Sequence, residues 1–188
     1  MKESEEIPKH DNYLVFDLEA TCCNKDSLDR DSMEIIEIGA VMVDGKTFEI
    51  IDEFCTFIKP VRNPTLTPFC KRLTTITQIE VDTAPEYKEA LELFKNWYAG
   101  YEDVLICSWG NYDKKQFSQD SRFHGVESPT ADNHCNMKRI FSLVKGVKRR
   151  FGVKNALLEL GMEFDGTAHR GIDDARNTAR LAKYTFGD

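Results

Sequence analysis

The chain has 188 residues, 41% hydrophobic and 30% charged, with a net charge of −7. That length suits one domain with a core able to fold alone, and the ordinary composition excludes disordered and fibrous classes. No apolar run approaches the roughly 20 residues needed to span a membrane. Net acidity argues against a broad grip on duplex nucleic acid, but leaves room for a small site where cations supply the positive charge.

Residues 1–11 are charged, lack the apolar stretch of a secretory signal, and read as a short flexible tail. The single domain is then expected over 12–188. Six cysteines, at 22, 23, 55, 70, 107 and 135, include no C-x-x-C pair, which argues against zinc. Most sit in apolar runs, where a reduced thiol acts as a small hydrophobe, so a reducing, cytoplasmic setting is expected.

Tyr13–Leu18 reads as a buried strand. Glu34–Val43 and Phe48–Ile58 are rich in Ile, Val and Phe and also read as strands, with Asp44-Gly45 as a hairpin signal between them. An antiparallel three-strand unit is expected to open the domain. Asn24–Ser32 is a polar loop, Pro60–Pro68 breaks regular structure, and Phe69–Ile79 has room for one or two short helices. A clear helix follows. Thr83 can cap it, Pro85 fits its first turn, Tyr87, Ala90, Leu91, Phe94, Trp97 and Tyr98 keep helical spacing, and Gly100 stops it. Val104–Trp109 is again a strand, and strand–helix–strand suggests a crossover. Tyr112–His124, Met137–Val144 and Lys154–Leu160 are expected helices. A last helix, Ile172–Phe186, carries the apolar stripe Ile172, Ala175, Ala179, Ala182 and Phe186.

The chemistry gathers at three points. Asp17 and Glu19 end the first strand two residues apart, and so share one face. Asp113 follows the strand VLICSW after a Gly-Asn turn. Asp174 lies in the first turn of the last helix, five residues after His169. Singly, each has a plain explanation: a solvated strand edge, or an acid favoured by a helix dipole. Together, at the ends of buried strands where open α/β sheets place ligands, they would bring like charges too close to remain ionised alone. Divalent cations reverse that balance, and oxygen-only ligands favour Mg²⁺ or Mn²⁺ over zinc. In a continuous helix, residues five apart differ by about 140° in azimuth. His169 therefore swings from a loop that Gly171 helps to turn, while Asp174 projects from the helix. A loop histidine beside activated water suits a general base.

FDLEATC (Phe16–Cys22), WGNYD (Trp109–Asp113) and HRGIDDARN (His169–Asn177) resemble, in order, the three motifs of the DEDDh 3′–5′ exonucleases. D-x-E-A-T-C followed by EIIEIGAV is most similar to the Eri-type and KapD-type branch, and the resemblance spans about 13–186. It implies an α/β, RNase H-like exonuclease fold: a mixed five-stranded sheet with antiparallel first three strands, flanked by helices. It implies that Asp17, Glu19, Asp113 and Asp174 hold two divalent cations, Mg²⁺ or Mn²⁺, and that His169 is the general base. It places Glu19, Ala20, Thr21, Leu73, Ile76 and His169 against the terminal nucleotide. The family's L-T-G-I segment reads Leu73-Thr74-Thr75-Ile76 here, with Thr75 in place of glycine.

The implied reaction is hydrolysis of the 3′-terminal phosphodiester of single-stranded RNA or DNA, with RNA favoured, releasing nucleoside 5′-monophosphates. No membrane or protein partner is expected. The alternatives are a catalytically weak nucleic-acid-binding module and a DNA proofreading or repair exonuclease. A metal-free glycosidase would need acids on opposite sides of a bond. For substrate grip, Lys114 and Lys115 could meet phosphates, as could the run Lys145, Lys148, Arg149, Arg150 and Lys154, which reads equally as a solvated helix end. Trp109 could stack on a base but suits the core better. Cys22 and Cys23 suit packing, and His10, His124 and His134 have no matching acid in the sequence.

Overall fold

The computed structural model describes residues 7–24, 28–148 and 151–187. Its sheet has the order β3-β2-β1-β4-β5. The strands are β1 (Asn12–Ala20), β2 (Ile35–Asp44), β3 (Ile50–Phe57), β4 (Val104–Ser108) and β5 (Cys135–Asn136). β1, β2 and β3 pair antiparallel, while β4 joins β1, and β5 joins β4, in parallel. This is the RNase H-like arrangement expected from the motifs. β5 has only two residues, too few to leave an alternation in the sequence.

The helices are α1 (Pro68–Thr74), α2 (Gln78–Asp82), α3 (Tyr87–Tyr98), α4 (Tyr112–His124), α5 (Met137–Val144), α6 (Val153–Glu159), α7 (Gly171–Ala179) and α8 (Ala182–Phe186). The segment Phe69–Ile79, with room for one or two short helices, holds α1 and the start of α2, the second opened by a Thr77–Glu80 capping box. Thr83 ends α2 rather than starting α3, because its hydroxyl donates to the carbonyl of Ile79 at 2.8 Å. α3 begins at Tyr87 after Glu86. The expected last helix is two helices. The Leu181 N–H bonds to the Thr178 carbonyl, tightening the chain there, and α8 lays Phe186 on Tyr13 with ring centroids 4.3 Å apart.

Strand alternation sorts β1 onto two cores. Leu14, Phe16 and Leu18 join Ile38, Ala40, Met42 and Ile106 under α3 and α4. Tyr13 and Val15 join Val41, Val43, Leu105 and Cys107 under α5, α6, α7 and α8. Asp17 and Glu19 are the next two residues of that second face. The face thus turns from apolar to acidic near the N-terminus of α7. Trp109 belongs to the same core, its indole N–H donating to the Phe151 carbonyl at 2.9 Å.

Within the expected tail, residues 1–6 lie outside the described residues, whereas Ile7 packs on the core and Pro8 accepts a bond from the Tyr13 hydroxyl. Arg149 and Arg150 of the basic run also lie outside them. Among the described residues, no helix is long and apolar enough to cross a membrane.

Candidate active site

β4 pairs with β1 only over Asn12–Val15, so the C-terminal half of β1 is flanked by β2 alone. The Leu18 backbone on that open side instead favours the charged form of the Asp113 carboxylate, in the first turn of α4.

On the other side, Asp17 pairs with Gly39 and Glu19 with Glu37. α7 comes down on this ladder with almost no gap. A Cβ at Gly39 would lie 2.0 Å from the Ile172 nitrogen and 2.1 Å from the Gly171 carbonyl carbon. One at Gly171 would meet the Asp17 carbonyl oxygen at 3.1 Å. Two glycines, one on the strand and one on the helix, allow the crossing.

That contact brings Asp174 to Asp17 and Glu19. One ligand oxygen from each of the three lies within 4.8 Å of the others. Asp113 is outside that tight group, although its charge is, after burial, the largest influence on Asp17. Burial, then the charges of Asp113, Asp174, Glu19 and Glu37, holds the Asp17 carboxyl well above the usual range. Burial, then Asp174 and Glu37, pushes Glu19 up to about 8. Asp113 is raised to about 6, burial outweighing the hydrogen bonds it accepts, and burial raises Asp174 as well.

His169 is exposed and sits at φ 63°, in the left-handed region. Its backbone N–H donates to Asp174 Oδ2 at 2.7 Å. Asp174 thus ties the histidine loop to the cluster. Its neighbour Asp173 turns away, accepting from the Thr167 N–H at 2.9 Å and from Arg176 Nη1 at 2.9 Å.

Glu37 was not anticipated as part of the site. It is fully buried and accepts from the Gly171 N–H at 3.0 Å and from Arg170 Nε and Nη2, both at 3.3 Å. Its signal in the sequence is an acid within EIIEIGAV, on a strand buried along its length. Glu34 at the start of the same segment is also buried, and its carboxylate receives the backbone N–H groups of Val61, Arg62 and Asn63.

The residues expected against the nucleotide divide. Glu19 is a member of the cluster, and His169 is tied to it by its backbone bond to Asp174. Ala20 and Thr21 are buried, and the Thr21 N–H and hydroxyl are spent on the backbone of Glu34. Leu73 is half-buried, but Ile76 is fully buried in a small core with Ile36, Leu66, Cys70 and Val81, and presents no surface to a ligand in this arrangement. Thr75 is exposed and keeps φ 62°, the conformation a glycine would adopt at no cost.

Two of the six thiols, Cys70 and Cys107, are buried, Cys55 is exposed, and none of the six is in a disulfide. His10 does have an acid, its Nδ1 lying 2.7 Å from Asp103 Oδ1 across the chain. His134 bonds to the Ser108 hydroxyl and His124 stacks on Tyr87.

A sequence profile of the family RNase_T, described as Exonuclease, matches residues 14–182. The chain belongs to this exonuclease family. The nuclease domain of 3′hExo, a DEDDh family member solved with bound rAMP, superposes with a TM-score of 0.86 at 30% identity, covering 92% of this chain and 90% of that one. ERI1 exoribonuclease 3 of Mus musculus is 33% identical over 180 residues, which are 91% of this chain and 52% of that protein. The 3′-5′ exonuclease eri1 of Schizosaccharomyces pombe is 32% identical over 202 residues, which are 90% of this chain and 66% of that protein. The chain thus spans about half the length of ERI1 exoribonuclease 3. The Eri-type DEDDh branch read from the three motifs is the one these relatives represent.

Proposed function

We propose that this chain is a metal-dependent 3′–5′ exonuclease that trims single-stranded RNA from its 3′ end and releases nucleoside 5′-monophosphates. The observation that carries this is the convergence of Asp17, Glu19 and Asp174 within 4.8 Å, with Asp113 beside them and His169 at the mouth.

The donor set fits divalent cations. It is all carboxylate oxygen, burial raises all four acids, and repulsion from neighbouring acids adds to it at Asp17, Glu19 and Asp113, so the pocket is poorly matched to its own negative charge. Asp17, Glu19 and Asp174 would hold the cations, with Asp113 completing the set. When bound, a pair of such ions supplies charge stabilisation and an activated water to phosphodiester hydrolysis. The chain's own part is positioning. Glu19 and Asp17 present their oxygens from one strand face, Asp174 holds the His169 backbone, and the exposed imidazole accepts the proton lost by the attacking water. The acids gather on one side, so they cannot flank a glycosidic bond from opposite sides, and that reading is dropped.

RNA is favoured over DNA because the Eri-type relatives are named exoribonucleases and 3′hExo was solved with rAMP. Mg²⁺ and Mn²⁺ are both suitable ions. We also read 12–188 as one catalytic domain, supported by the family match over 14–182, and place it in a reducing, cytoplasmic setting.

The test uses 5′-labelled single-stranded RNA and DNA of one sequence with Mg²⁺, Mn²⁺ or EDTA. A metal-dependent ladder is expected, faster on RNA, and absent from Asp17→Ala and His169→Ala. Separately, Mn²⁺ should raise the melting temperature of the wild type and not of Asp17→Asn. Cleavage that persists in EDTA, or binding with no cleavage under any condition, would overturn the reading.

A further inference from the structure

A polyanion is not held by the average surface of a chain with net charge −7. The positive charge must therefore be local, and α4 concentrates it. Asn111, Lys114, Lys115, Ser118 and Arg122 follow helical spacing and form one stripe. With Arg139 of α5 they line a single groove, floored by His134, Cys135 and Leu105. Asp31 is the one acid among its described lining residues.

None of the clustered acids lines the groove; the first turn of α4 is what the two share. The Asn136 side-chain amide donates to Asn111 Oδ1 at 3.0 Å and ties together the first turns of α4 and α5. Two residues beyond Asn111, Asp113 turns inward to the carboxylate cluster while the cationic stripe faces out. These cations also differ from the structural arginines. Arg62, which also lines the groove, and Arg170 and Arg176 outside it are each paired with an acid, whereas Lys114, Lys115 and Arg122 form no ion pair among the described residues. Unpaired cations at fixed spacing beside the site match the spacing problem of a phosphate chain. The other basic stretch is built differently. Lys145 lies over the Phe141 ring and Lys154 over Phe164, so both are partly spent on packing.

We propose that this groove between α4 and α5 is the track for the phosphodiester backbone of the substrate strand on the 5′ side of the bond being cut. Lys114, Lys115 and Arg122 contact successive phosphates from one wall and Arg139 from the other. The inference rests on the exonuclease reading, and deepens it by assigning the grip to one surface. The field of Lys114 already reaches the groove floor, where it adds to burial in keeping His134 neutral.

The experiment compares the wild type, Lys114→Ala/Lys115→Ala/Arg122→Ala, and Lys145→Ala/Lys148→Ala/Lys154→Ala. Each is assayed on a 20-nucleotide single-stranded RNA and on a dinucleotide, and binding of the labelled 20-mer is measured in EDTA. For the α4 variant, the ratio of kcat/KM on the 20-mer to that on the dinucleotide should fall by about tenfold or more. The log–log dependence of 20-mer binding on salt should become shallower by about 2, at about 0.7 per lost phosphate contact. Equal losses on both substrates, an unchanged salt slope, or the larger effect in the second variant would overturn the track while leaving the exonuclease intact. A wild type that binds the 20-mer in EDTA through these residues yet cleaves nothing would uphold the track and remove the proposed activity.

Discussion

α7 and α4 each begin at the carboxylate cluster, each place an acid in the first turn, and neither has a side-chain N-cap. They are docked by opposite means. α7 lies backbone on backbone against β2, where Gly39 and Gly171 leave no room for a methyl group. α4 is held at arm's length by side chains. Gln116 and Gln119 donate to the Met33 carbonyl at 3.1 and 2.8 Å, and Asp120 accepts from the Ile35 N–H at 3.2 Å. The first kind of docking is set by what is absent and fails all at once. The second is a sum of separable polar contacts, each worth a modest amount. The helix carrying the histidine loop is thus the rigid one, and the helix bordering the basic groove has the more adjustable mounting.

The sharpest way to break this comparison is Gly39→Ala. Its methyl would sit 2.0 Å from a backbone nitrogen, which cannot rotate away. α7 must lift, taking Asp174 and His169 with it. A displacement of about 1 Å at a reacting centre costs roughly 10²-fold, so nuclease activity should fall at least that far. Overpacking should lower stability by about 3 kcal/mol as well, read by denaturant unfolding. An active, equally stable Gly39→Ala would show that α7 is not clamped. Glu37→Ala attacks the same clamp from beneath. It strands Arg170 and the Gly171 N–H, and removing one partner of a buried ion pair costs about 3 kcal/mol. Because the backbone crossing survives, Mn²⁺ should still raise the melting temperature of Glu37→Ala.

On the α4 side, burial pushes Asp120 up to about 6, only partly offset by the bonds from Gln116 and Ile35. A raised carboxylate favours the folded state while protonated. Its contribution is full below the unfolded value near 4 and is lost as pH rises through about 6. Asp120→Asn removes that ionisation. The stability difference between variant and wild type should therefore shift in favour of the variant by about 2 kcal/mol between pH 4 and pH 7. A difference independent of pH would mean that Asp120 ionises freely in the fold.

The sequence showed the acids of the site because the chemistry demands them at spacings that a strand and two helix starts impose. Asp17 and Glu19 share a face by strand geometry alone, and Asp113 and Asp174 sit where helices begin. The clamp was less legible. Glu37 and Gly39 read as ordinary members of a strand, since their importance comes from Gly171, more than 130 residues away. The break between α7 and α8 and the two-residue β5 likewise depend on tertiary contacts rather than on any local pattern. Thr83 looked like an N-cap because threonine suits both ends of the short α2–α3 connection, and only its bond to Ile79 decides which.

Thr75 gives the smallest effect and the cleanest sign. It replaces the glycine of the family segment, yet the backbone keeps φ 62°, ψ 0°. A β-branched residue pays about 1–2 kcal/mol to stand in the left-handed region. The side chain is exposed and α1 ends there, so little packing is lost by removing it. Glycine also gains freedom in the unfolded chain, which takes back part of the benefit. Thr75→Gly should therefore stabilise the fold by about 0.5–1 kcal/mol, a small rise in denaturant midpoint at unchanged slope. Thr75→Ala, which keeps a Cβ in the same conformation, should give little of that gain. If both variants stabilise equally, the strain lies in the threonine branch and not in the left-handed backbone.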